Sequence, residues 1–177
     1  FSECQQYRYQ LLEVWDKNKP LVLWLLMNPS VACTEFSDPT LRKTGKFARA
    51  WGYGGQLVGN VHAYRATDKN RLLEVADPIG PENDRKILEM ATQAKTIVLA
   101  YGQPPKALRQ RLREGAQGAV SILRQLARLR GVENHRAGTA ALDGRQPLAP
   151  AARRGKDVVA AGVNDHHREP RGPARRQ

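Results

Sequence analysis

The side chains of this sequence best suited to chemistry stand where apolar runs give way to polar residues. Asn28 begins Asn28-Pro29-Ser30, directly after the run Leu21 to Met27. The residue before a proline is held extended. Asn28 therefore projects in a fixed direction, where its amide could orient a water or grip a sugar or base edge, and Ser30 could donate to an anion. A plain Asn-Pro-Ser turn would use the same residues without any ligand. Asn60 lies near the end of a second run, Gln56 to Val61, and Tyr64-Arg65-Ala66-Thr67 follows it. Asn60 offers both a donor and an acceptor to a base edge, and Arg65 a planar fork suited to phosphate or carboxylate. The bland alternatives are that Asn60 caps a strand end and Arg65 pairs with a structural acid such as Asp77. Asp38 is a candidate catalytic carboxylate and equally a good helix N-cap. Arg42, one turn further on, could meet an anion held at that helix N-terminus.

Other chemistries find little support. His62 has no second ligand at metal-binding spacing, and Cys4 and Cys33 form no CxxC pair, so neither a metal nor a cofactor is expected. Gly52-Tyr53-Gly54-Gly55 follows a helical pattern, and Leu57 stands where the last Gly of a dinucleotide loop belongs, so it reads as a turn.

The elements that must position these residues alternate strand and helix. Leu21 to Met27 is short, continuously apolar and bounded by Pro20 and Asn28-Pro29, as a strand buried on both faces would be. Gln56 to Val61 and Thr96 to Tyr101 are further strands. Asp38, Pro39 and Gly52 bracket a helix near 39 to 51. A second helix spans about 81 to 94 with Gly80 as cap and Glu82 and Asp84 in its first turn, and a third spans 106 to 130. Tyr7 to Trp15 could be strand or short helix. The alternation predicts an α/β fold with an open, mostly parallel sheet flanked by helices. In such sheets ligands bind in the crevice beyond the carboxyl ends of the strands, which is where Asn28, Asn60, Tyr64 and Arg65 would gather.

The 177 residues carry a formal charge of +12, but residues 1 to 105 are only +2. The excess lies in 106 to 130 (+6) and 131 to 177 (+4), and all eleven aromatic residues lie between Phe1 and Tyr101. Of the last 47 residues, 27 are Ala, Gly, Arg or Pro, too little apolar surface to offset ordering entropy. The expected organisation is one α/β domain over 1 to 130 and an irregular tail over 131 to 177. No apolar run approaches the roughly 20 residues that span a bilayer. Two cysteines without a disulfide framework suggest a reducing, cytoplasmic setting. Phe1 is preceded by no start residue and begins no signal peptide.

Segment by segment, Tyr7 to Gly102 resembles the bacterial and phage family catalogued as domain of unknown function 1643. The resembling pieces are Tyr7-Arg8-Tyr9, Trp15, Met27-Asn28-Pro29-Ser30, Asp38-Pro39-Thr40, Phe47-Ala48-Arg49 and Trp51-Gly52-Tyr53-Gly54. They continue with Asn60, Ala63-Tyr64-Arg65-Ala66-Thr67, Asp77-Pro78-Ile79-Gly80-Pro81, Asn83-Asp84 and Tyr101-Gly102. Members typically close on a segment ending His-Pro-Leu; here Asp143 to Ala152 reads DGRQPLAPAA. Codons can be chosen so that a one-nucleotide shift of those residues restores that ending, which points to a frameshift upstream of Asp143.

The order of parts is also similar, more distantly, to the uracil-DNA glycosylase superfamily: one strand ends in Asn-Pro, another in Asn, a third in an aromatic-Gly pair. That likeness implies a three-layer fold. It also implies that Asn28 and Asp38 act on a water, and that Asn60 and Gly102 hold a base. The partner implied is a nucleotide, a nucleoside or nucleic acid. The alternatives are a binding module without catalysis, or an enzyme on another small anionic substrate.

Overall fold

The computed structural model describes residues 1–30, 39–68, 70–101, 118, 121 and 157–160. In chain order these form β1 (Leu11–Val14), β2 (Leu21–Leu26), α1 (Pro39–Ala50), β3 (Gly55–Asn60), α2 (Arg71–Glu74), α3 (Asn83–Gln93), β4 (Thr96–Leu99) and β5 (Asp157–Ala160). The five strands make one mixed sheet in the order β1-β3-β2-β4-β5. β2 pairs in parallel with β3 on one side and β4 on the other, as expected for the three apolar runs.

Two edge strands complete the sheet. The segment that could be strand or helix supplies β1, antiparallel to β3. Within the tail expected to be irregular, Asp157–Ala160 pairs in parallel with β4. That corrects the expectation for these four residues: two adjacent β-branched valines suit a strand, and β4 without β5 would leave an unpaired row of backbone groups on that side. The rest of the tail and the expected helix over 106 to 130, apart from Gly118 and Ser121, lie outside the described residues.

Side-chain alternation gives the sheet two different faces. Leu23, Leu25, Leu57, Ile97 and Leu99 meet Ile87, Met90 and Ala91 of α3. Val22, Trp24, Val58 and Val98 meet Leu41 and Ala48 of α1, with Trp51 and Phe47 against them. Trp24 stacks on Trp51 at 5.4 Å between centroids. The helix ends follow from local chemistry. α1 stops where Gly52 takes φ +81, with the Tyr53 N–H returned to the Ala48 carbonyl. α3 begins after Glu82, not at Gly80. Gly80 is instead held at φ +91 in a turn whose Ile79 and Gly80 N–H groups donate to the Asp77 carboxylate. A Cβ on Gly80 would lie 2.8 Å from the Tyr7 ring and 3.1 Å from that of Tyr9.

Candidate functional site at the carboxyl ends of the strands

β2 and β3 end side by side, with Leu26 in register with Asn60, and the segments beyond them zip together. Val61 N–H donates to the Leu26 carbonyl, His62 N–H to Met27, and Ala66 N–H to Pro29. Asn28 joins this seam through its side chain, whose Nδ2 donates to the Ala66 carbonyl at 2.7 Å and, more weakly, to Pro29 at 3.3 Å. The amide's nitrogen is therefore committed to the scaffold. Its Oδ1, on a half-buried side chain, is the acceptor left for a ligand or water.

Asn60 is 1% exposed, and its Oδ1 is buried without a hydrogen-bond partner. Gln56 and Val58, two and four residues back, face α1, so alternation puts Asn60 on that face as well. Its backbone is fixed from the other side: Nδ2 of Asn83, in the first turn of α3, donates to the carbonyls of Asn60 and Val61 at 2.9 and 3.2 Å. The Oδ1 of Asn83 is likewise buried and unpartnered. A carboxamide oxygen shut away from water costs about 1 to 3 kcal/mol unless something donates to it.

His62 is buried beside this strand end, its Nδ1 3.3 Å from the Met27 carbonyl. Burial pushes its pKa below the ordinary imidazole value, only partly opposed by that carbonyl. The ring is neutral at pH 7.

The remaining expected site residues lie elsewhere. Arg65 donates from Nη1 to the Gln5 carbonyl at 3.0 Å, and its guanidinium sits 5.2 Å from the Phe1 ring centroid. Tyr64 packs on Met27, Ala66 and Leu72 and pairs by backbone with Tyr7, whose ring it meets edge-on. Both therefore hold the N-terminal segment against the strand ends. Arg42 is exposed on α1, and Ser30 is half-buried beyond the Asn28 turn. Asp38 and Gly102 lie outside the described residues. Among the described residues no group of three His, Cys, Asp or Glu could hold a metal ion, and no helix is long and apolar enough to cross a membrane.

Sequence reasoning passed over two residues: Asn83, which clamps the end of β3, and Arg8. Arg8 is 4% exposed although charged, and its N–H donates to the Ala63 carbonyl beside the strand end. The only signal for Arg8 was its place between two tyrosines, which forces it to the side opposite their rings.

A model of the family described as "Protein of unknown function (DUF1643)" matches residues 8–138. The match runs 36 residues past Gly102 and ends before Asp143. No curated protein and no solved structure matches the chain.

Proposed function

Starting from the fact that this chain belongs to the DUF1643 family, we propose that the crevice at the ends of β2 and β3 binds a nucleoside or nucleotide. The buried, unpartnered Oδ1 of Asn60 carries this reading. An acceptor kept dry and unsatisfied at a strand end is suited to an N–H of a base edge, and rejects ligands that cannot donate. On this reading Asn28 Oδ1 orients the water that attacks the sugar carbon, and the reaction is hydrolysis of the N-glycosidic bond in a three-layer, glycosylase-like fold. A flipped or free nucleoside would fit that geometry.

The commitment of Asn28 Nδ2 to Ala66 favours a second reading, ligand binding without catalysis. Titration of the protein with nucleosides and nucleoside monophosphates, together with base release from nucleosides and from single- and double-stranded DNA, separates the two. Glycosidic hydrolysis predicts that Asn28→Ala lowers base release about 100-fold or more and that Asn60→Leu weakens binding about 10- to 100-fold. Binding with no base release leaves the second reading. The nucleoside reading fails if no base-bearing ligand binds.

A further inference from the structure

We propose that Arg8 is an anion-binding residue whose guanidinium takes the oxyanion of a small ligand, a phosphoryl or carboxylate group. The inference rests on Arg8 alone and stands whether or not a base is bound. The rings of Tyr7 and Tyr9 stack nearly parallel at 5.9 Å, and both lie against Gly80, just before α3. Arg8, between them, leaves the segment on the opposite side. Its backbone is tied to Ala63, three residues beyond Asn60, and the side away from α3 is the one to which Asn60 turns its unpartnered oxygen.

A guanidinium carries five N–H donors and does not give up its proton in a protein. Buried arginines are consequently paired with carboxylates or hydrogen-bonded to carbonyls. Among the described residues, Arg8 has neither: the ion pairs involve Lys19, Arg71, Arg85 and Lys86, and the cation–π contacts involve Arg49 and Arg65. No side-chain hydrogen bond of Arg8 appears between those of Tyr7 and Trp15. An uncompensated buried charge is destabilising. A fold that keeps one has a use for it, and a planar fork of donors is suited to the two oxygens of a phosphate or carboxylate.

The test compares thermal unfolding of the whole protein, Arg8→Met and Arg8→Lys in chloride, phosphate, pyrophosphate and acetate at one ionic strength. Wild type is expected to gain stability in at least one oxyanion relative to chloride, with phosphate and pyrophosphate marking a phosphoryl site and acetate a carboxylate site. Arg8→Met is expected to lose that gain. In chloride alone it should melt at the wild-type temperature or roughly 2 to 4 °C above it, because an uncompensated charge has gone while the stem's volume remains. Arg8→Lys keeps the charge without the fork and should bind about tenfold more weakly. The proposal is overturned by any of three results: no oxyanion stabilises wild type beyond chloride, Arg8→Met is stabilised as much as wild type, or both variants fail to fold. The last would make Arg8 a structural residue. None of these arms contains a base, so their failure is separate from that of the nucleoside reading.

Discussion

The two faces of the central strands are built on different terms. Toward α3, β2 and β3 present Leu21, Leu23, Leu25 and Leu57 with Gly55 and Gly59, and the layer beneath is Ile87, Met90 and Ala91. Toward α1 the same strands present Val22, Trp24, Gln56, Val58 and Asn60. Trp24 Nε1, Gln56 Oε1 and Asn60 Oδ1 are all buried there without partners. On the α3 side the only such atom among the described residues is Asn83 Oδ1, at the very end of the strand. Aliphatic packing has no direction and needs only volume and fit. Polar groups left unsatisfied in a core weaken it, so concentrating them on one face separates the face that holds the fold from the face free to do chemistry.

The strongest way to break this contrast is to remove volume from the aliphatic face. Leu57→Ala is expected to lower unfolding free energy by about 2 to 5 kcal/mol, measured by denaturant titration. A loss under about 1 kcal/mol would mean that the α3 face is not where stability resides. Next in size, Asn83→Ala should cost about 1 to 3 kcal/mol, because it uncovers two buried carbonyls at the end of β3.

Acid sharpens the comparison in a third way. His62 holds its proton less tightly folded than unfolded. Above the ordinary imidazole pKa of 6.5 both states are neutral, and its contribution is fully present. As pH falls below that value the unfolded chain takes up a proton that the folded one refuses, and stability drops by at most about 1.4 kcal/mol per pH unit until the folded pKa is reached. Asp16 and Glu89, whose carboxyls are held below their ordinary 3.8 and 4.5 by Lys19 and by Lys86, act at lower pH. His62→Gln should therefore flatten the stability profile just below pH 6.5 and leave the more acid part intact. An unchanged slope in both windows would show that the imidazole is not the group responsible.

The smallest effect belongs to the face reserved for chemistry. Asn60→Ala is expected to change stability by about 1 kcal/mol or less, because the small cavity it opens and the unsatisfied oxygen it removes act in opposite directions. A loss as large as that of Leu57→Ala would show that Asn60 is as structural as the leucine, and would erase the distinction between the faces.

Local chemistry wrote much of this protein. The run Leu21 to Met27 between Pro20 and Pro29 had to be an interior strand. Pro39 and Gly52 bracketed α1 because one suits a first helical turn and the other takes the left-handed conformation that ends it. The placing of Asn28 and Asn60 at strand ends followed from the same boundaries. What long-range pairing decides was not legible. Tyr7 to Trp15 became a strand only because β3 offered an edge, and Asp157–Ala160 only because β4 did. Arg65 looked like an anion ligand from its chemistry, yet its direction was set by an N-terminal segment sixty residues away in sequence. Arg8, the residue without an acid, could be recognised only in three dimensions. Whether a charge has a partner depends on what the fold brings to it, and no spacing in the chain records that.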